Sequence, residues 1–328
     1  MSQEPLPVAF GPPRVPLSCS WAEYTFSHVL LGSEGHTKIG SMQVRKAVIT
    51  AAAESQRALP MQTLFDQEGV ERSVLSLIVR EAAHAGITDI GIVVWPGDES
   101  AYAKLLVDDP ARITFIPQIE SRGYGRAVLH AREFVQGEPF LHCVGDHIYV
   151  DPTAGGSARQ LVQLAQAESC AVSAVQVTRE SLLPYYGAVG GHAVPGRTGV
   201  YRVETVLEKP TPTEAEQRIT VPGLRAGQYL CFYGMHVLTS SIFEILEHML
   251  IGSAAGTSLS SALAELARRE QYFAMVQKGR RFDVGVKYGL FNAQLALALS
   301  GRDRDQVLTE LISVLTTRDL FPASGDAA

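Results

Sequence analysis

The sequence predicts an α/β protein with a mostly parallel central sheet covered by helices on both faces. Three observations carry this. Short, continuously apolar runs alternate with longer stretches of helical period over residues 45–180. Those runs lack the apolar–polar alternation of a strand with one wet face, so they read as strands buried on both sides. After Pro184 the chain becomes β-rich with Gly and Pro turns, then helical, which predicts a β-hairpin insertion and a helical C-terminal part.

Taken in order, the first strand is RKAVIT (45–50), which runs into Ala51, Ala52 and Ala53 and on to Arg57 and Pro60. SVLSLIVREAAHAG (73–86) has helical period and ends on Gly86 as a C-cap. DIGIVVW (89–95), ITFIPQ (113–118), PFLHCVGD (139–146) and AVSAVQV (171–177) are further strands. Between them, 99–107, 125–135 and 158–168 are helices. Residues 185–210 read as hairpins and 228–239 as a strand, followed by helices over 240–250, 259–270, 288–300 and 305–317. Residues 1–42 stand apart. Five prolines in the first sixteen residues favour a flexible, extended leader, or a start upstream of a true one at Met42. Docking of this segment through Trp21, Tyr24 and Phe26 is the competing reading.

Composition narrows the class. With 46% hydrophobic and 19% charged residues, the chain of 328 is an ordinary globular sequence, long enough for a large core. A formal charge of −6 argues against a nucleic-acid or anionic-membrane binder. No apolar run approaches a bilayer span, and the N-terminus lacks the basic and apolar regions of a signal peptide. Cys19, Cys143, Cys170 and Cys231 form no C-x-x-C pair, and reduced, buried thiols are expected. These features predict a cytoplasmic protein.

Five constellations carry chemistry. The segment 47–60 joins a strand to small residues and Arg57, the plan of a phosphate-binding loop, although no glycine lies between Gly40 and Gly69. Gln118 ends a strand and offers a donor and an acceptor to a base edge, with Gly123 and Gly125 beyond it; a plain turn is the alternative. Asp146 follows a buried strand, where open α/β sheets bind ligands, and suits Mg²⁺; a turn-forming Asp is the alternative, and His147 beside it reads as structural. Tyr186-Gly187 with Glu208-Lys209-Pro210 could take sugar hydroxyls and a phosphate, or be an exposed charge pair. Asp283 and Lys287 could serve metal and phosphate, or Asp283 could be an N-cap.

In order and spacing, these segments resemble the sugar-1-phosphate nucleotidyltransferases, and most closely the bacterial UTP–glucose-1-phosphate uridylyltransferases. Ala51 to Pro60 stands in the frame of A-A-G-x-G-T-R-x-L-P, and Arg80 to Ile87 in that of E-E-A-x-x-A-G-I. Gln118, Gly123, Gly125, Ala127 and Val128 fit Q-x-x-x-x-G-L-G-x-A-V. Asp146, Tyr186-Gly187, 207–210 and Asp283-Val-Gly-Val-Lys287 match the family's metal Asp, Y-G, V-E-K-P and D-x-G-x-K. The likeness covers about residues 45–300.

That resemblance implies a mixed, mostly parallel sheet of the nucleotide-diphospho-sugar transferase, Rossmann-like type. It implies a nucleotidyltransferase domain over 43–300, with a nucleotide half (43–180), a sugar half (181–300) and a C-terminal helix and tail (301–328). The implied reaction joins an NTP, expected to be UTP, to a sugar-1-phosphate, expected to be glucose-1-phosphate, and releases pyrophosphate. Ala52, Ala53, Gln118 and Gly123 would bind the nucleotide, with Arg57 on the triphosphate. Asp146 and Asp283 would hold Mg²⁺, Gly187 and Glu208 the sugar, and Lys209 the sugar phosphate; catalytic roles fall to Arg57, Asp146 and Lys209. Homo-oligomers are common in the family.

Three departures stand out. Ala53, Ser55 and Gln56 replace the loop's two glycines and threonine; a left-handed backbone there would cost roughly 1–2 kcal/mol. The stretch 61–75 has no counterpart to the family's P-K-E-M-L-P lysine, and Arg72 is its nearest cation. Losing one such group slows transfer on the order of 10²–10³-fold. Ser260 and Ser261 stand where the family has L-T-D-A. An active, divergent transferase and a catalytically weak homologue that senses sugar nucleotide or sugar phosphate both fit, and a metal-dependent glycosyltransferase is a more distant alternative. A Rossmann dehydrogenase lacks its G-x-G-x-x-G here.

Overall fold

The computed structural model describes residues 42–118, 123–153, 155–251 and 258–317. The expectations for residues 1–41, including Cys19, and for 318–328 fall outside that set. The strands are β1 (Lys46–Thr50), β2 (Thr63–Phe65), β3 (Glu71–Ser73), β4 (Asp89–Val94), β5 (Arg112–Pro117), β6 (Phe140–Val144) and β7 (His147–Val150). They continue with β8 (Ala171–Arg179), β9 (Gly187–Ala193), β10 (Val200–Glu208), β11 (Gln228–Leu238), β12 (Tyr272–Val276) and β13 (Arg280–Asp283). The helices are α1 (Val74–His84), α2 (Glu99–Leu105), α3 (Tyr124–His130), α4 (Arg132–Val135) and α5 (Gly156–Glu168). After them come α6 (Pro212–Arg218), α7 (Ser241–Ile251), α8 (Leu259–Arg269), α9 (Gly289–Ser300) and α10 (Arg304–Thr316).

Nine strands form one mixed sheet in the order β5-β4-β1-β6-β11-β8-β12-β10-β9. β5, β4, β1 and β6 run parallel, as do β8 and β12. β11 lies antiparallel between β6 and β8, and β10 antiparallel between β12 and β9. Seven of the nine strands therefore point one way. Ala47 and Ile49 of β1 enter one core with α1 and α5, while Val48 enters the other with α3, α7 and α8. Because neighbouring side chains point to opposite faces, burial on both sides demands an unbroken apolar run, which is what the sequence shows. The expected hairpin is β9 with β10, and the helical C-terminal part is α7 to α10, interrupted by β12 and β13.

Several short elements were not anticipated. β2 and β3 form a hairpin of three residues each, too short and too charged to give a periodic signal. β7 pairs with β13, and β12 adds to the sheet beside β8. The single helix expected over 125–135 is divided, because Ala131 N–H turns back to the Val128 carbonyl and Gln136 closes α4 in the left-handed region at φ 56°. Cys143, Cys170 and Cys231 are free and buried, and burial pushes their thiols up, so they are inert.

Glu81 of α1 is half-buried against the first turn of α5, where its carboxyl accepts the Ala158 N–H at 2.8 Å. A Cβ on Gly156 (φ +74°) would fall 2.5 Å from the Glu81 oxygens, so glycine permits the contact. Burial, with the Asp151 charge nearby, raises Glu81 from 4.5 to about 7 against the opposing backbone hydrogen bonds. The folded chain thus holds a proton that the unfolded chain releases near 4.5, and stability falls as pH rises from there through about 7. Glu81→Gln is expected to flatten that decline, which amounts to about 1–3 kcal/mol in the wild type. Thermal melts from pH 4.5 to 8 measure it, and equal slopes in both proteins would contradict the assignment.

Candidate active site

A cavity of about 390 Å³ opens where β1, β5 and β6 end together. Thr50, Gln118 and Val144 line it from those three strand ends, and Ala52, Ala53 and Gly123 from the adjoining turns. Gln118 is buried, its backbone tied to Val94 at 2.9 Å. Gly123 starts α3 at φ 95°, a conformation that favours glycine.

The glycine-free loop is relaxed. Among the described residues of 51–60 none has a positive φ, and Ala53 is extended at φ −69°, ψ 116°. The left-handed penalty considered from sequence is therefore absent. The loop turns through two short 3₁₀ segments, Glu54–Gln56 and Leu59–Met61, and is tied down by Ala51 N–H on Val93 O and by the Tyr102 hydroxyl on Arg57 O. The tight approach falls on Gly145 instead, whose N–H donates to Thr50 O and where a Cβ would lie 2.7 Å from that oxygen.

Arg57 departs from the expectation that it faces a triphosphate. Its guanidinium grips Asp98 through two hydrogen bonds, one of 2.8 Å from Nε, lies 5.6 Å from the Trp95 ring centroid, and is not among the cavity's lining residues. Arg72, the substitute considered for the absent lysine, pairs with Asp66 at 2.6 Å and lines a different hollow. Both cations are held by local carboxylates.

At the cavity's other wall, Asp146, His147 and Asp283 bring their ligand atoms within 4.8 Å of one another. β7 and β13 cause this by pairing Asp283 with His147. Burial alone would raise the Asp146 carboxyl; His147, chiefly through its 2.7 Å hydrogen bond, together with a backbone hydrogen bond and a smaller contribution from Arg281, holds it below the usual range. Asp283 accepts the Gly285 N–H at 2.8 Å. The two carboxylates fit a hard divalent cation, and His147 orients Asp146.

The residues expected at the sugar end lie close to one another. β9 and β10 pair Gly187 with Glu208, and Ser260 of α8 donates to the Glu208 carboxylate. A Cβ on Gly187 would meet Ser260 Oγ at 2.6 Å and the Phe232 ring at 2.7 Å, so the position requires glycine. Lys209 follows in the left-handed region at φ 46°, rare for lysine, with its N–H on Tyr186 O at 3.2 Å. That turn separates the Glu208 and Lys209 side chains from strand alternation. Lys287 is exposed, 5.2 Å from the Tyr288 ring centroid.

Sequence reasoning missed a polar seam beneath the cavity. The Tyr124 hydroxyl and Thr50 Oγ1 both reach His142 near 3.4 Å, and His142 stands opposite His236 across β6 and β11. His236 bonds Ser173, which bonds Tyr272. Burial lowers both histidines, His236 to about 3, so the seam is neutral. A histidine inside the apolar run FLHCV was the available signal. Gly145→Ala is expected to leave a folded protein with turnover at least about tenfold lower, since the Thr50–Ala51 backbone must shift; steady-state kinetics beside a melting curve checks this.

Residues 60–299 match the profile of the nucleotidyl transferase family. UTP–glucose-1-phosphate uridylyltransferase YngB of Bacillus subtilis (strain 168) is 32% identical over 300 residues, covering 83% of this chain and 96% of that protein. The UTP–glucose-1-phosphate uridylyltransferase of Streptococcus pneumoniae serotype 4 is 31% identical over 284 residues, covering 78% and 91%. Among solved structures, a UDP-glucose pyrophosphorylase complexed with UDP-glucose superposes with a TM-score of 0.65 at 23% identity, covering 77% of this chain and 98% of that one. A UTP-bound enzyme from Acinetobacter baumannii gives 0.65 at 22%, covering 83% and 100%. The structural likenesses show a shared fold.

Proposed function

The chain belongs to the nucleotidyl transferase family, and from that premise we propose how its residues act. It is a nucleotidyltransferase of the UTP–glucose-1-phosphate uridylyltransferase type, and the sensor alternative is not favoured. The reaction joins UTP and glucose-1-phosphate into UDP-glucose and pyrophosphate. The residue assignments rest on three groups carried on or beside the one nine-stranded sheet. These are the Gln118–Gly123 cavity, the Asp146–Asp283 carboxylates and the Gly187–Glu208 pair.

In this reading residues 43–180 hold the nucleotide and 181–300 the sugar. Gln118 reads the base edge from its buried strand end, with Gly123 leaving room for a flat ring. Ala52 and Ala53 present backbone and little side-chain bulk to the phosphates. Glu208, steadied by Ser260, takes sugar hydroxyl hydrogens beside Gly187. Lys209, set apart by its strained backbone, takes the sugar phosphate. Arg57 is neutralised by Asp98 and lies outside the cavity lining, so its standing task is to hold the loop.

The sugar phosphate oxygen then attacks the α-phosphorus in line as pyrophosphate leaves, and the chain's work is positioning and charge neutralisation. Asp146 and Asp283 would hold Mg²⁺, which when bound neutralises phosphate charge. Among the described residues no helix is long and apolar enough to cross a membrane. The proposal includes a cytoplasmic setting, where nucleoside triphosphates are made. Self-association belongs to it as well, and the exposed Phe291, Ile312 and Leu315 on α9 and α10 support it.

Pyrophosphate release from each NTP with glucose-1-phosphate and Mg²⁺ tests the reading. UTP is expected to be the preferred donor, chelation to abolish turnover, and Asp146→Asn to lower it on the order of 10²–10³-fold. No turnover with any NTP, alongside measurable UDP-glucose binding, would restore the sensor alternative.

A further inference from the structure

Phosphates need cations, and the two arginines nearest the loop are already engaged, Arg57 by Asp98 and Arg72 by Asp66. Arg281 is placed differently. It lies on β13 opposite Tyr149 of β7, two residues before Asp283. Its guanidinium lies 3.7 Å from the Tyr186 ring centroid, and Nη1 donates to the Phe232 carbonyl. Neither contact is with an anion, and no carboxylate among the described residues forms an ion pair with it.

These contacts fix where the charge sits. Tyr186 immediately precedes Gly187 and receives the Lys209 N–H, so it belongs to the sugar end. Asp146 lines the nucleotide cavity and belongs to the metal end. In UDP-glucose the diphosphate lies between nucleoside and sugar. A half-buried guanidinium that stacks on Tyr186 at the sugar end and shares a strand face with Asp283, two residues along β13, at the metal end lies along that span. Stacking on Tyr186 and the Phe232 carbonyl hold it in place, leaving donors of the planar fork for phosphate oxygens.

Resting on the function proposed above, we infer that Arg281 is a phosphate ligand of the bound nucleotide sugar, supplying at the diphosphate the cation that the loop lacks. The alternative role, pinning β13 to β11 through Phe232, makes a different prediction, because it has no preference for a charged ligand.

Ligand-observed NMR with UDP-glucose and with uridine separates the two, using wild type, Arg281→Gln and Arg281→Lys whose melting temperatures have been compared. Arg281→Gln is expected to weaken UDP-glucose binding on the order of 10- to 100-fold while uridine binding is unchanged. Arg281→Lys, which keeps the charge without the fork, should recover part of the loss. Should the Gln variant fail to fold, the Lys variant carries the test with a loss of several-fold confined to UDP-glucose. Unaltered UDP-glucose binding, or an equal loss for uridine, would overturn the inference. A wild type that binds UDP-glucose without turnover would defeat the transferase reading and leave Arg281 standing. Normal turnover with an unaffected Arg281→Gln would defeat Arg281 alone.

Discussion

β1 hydrogen-bonds in parallel to β4 on one side and β6 on the other, residue for residue from Lys46 to Thr50. The site takes its form from this pairing. It ends the strands at one edge, so the loop after β1, Gln118 after β5 and the Gly145–Asp146 turn after β6 open onto one space. It also sets Gly145 against Thr50, where backbone touches backbone and a methyl group has no room. The antiparallel β11 then closes β6 on its far side and carries the sheet across to β8, β12, β10 and β9, where the sugar-end residues lie. One sheet therefore spans both ends of the site.

The electrostatics follow from burial. The seam of Tyr124, Thr50, His142 and His236 is kept neutral because imidazolium cannot be solvated there. Asp146 stays ionised because His147 and Arg281 compensate for its burial. Neutral floor and anionic wall thus differ in kind, as the proposed division between a base and a metal-bound phosphate requires.

The loop shows why residue identity and backbone demand must be kept apart. Glycine at a phosphate loop suggests a need for positive φ, and its replacement by Ala53 and Ser55 looked costly in sequence. The backbone at Ala53 is extended and runs on through right-handed turns, so alanine fits without strain. The strained residue is Lys209, which nothing in its own side chain announces. Its neighbour Pro210 did mark a strand end, and β10 stops at Glu208 as that implies.

By itself, the sequence determined the buried strands, their flanking helices and the order of the motifs, because each is written in local period and spacing. The positions of Gln118, Asp146 and Glu208 at or just past the ends of β5, β6 and β10, and of Gly123 at the start of α3, were legible in it, because such boundaries are marked locally. Tertiary structure alone decided the insertion of β11 between β6 and β8, and the pairing of β7 with β13 that brings Asp283 to Asp146. It also decided which cations are available. Arg57 looked like the phosphate clamp until Asp98, 41 residues away, was seen to hold it, while Arg281 carried no signal at all. A charge is fixed by its residue, but its direction and partners are set by chain segments that meet only after folding.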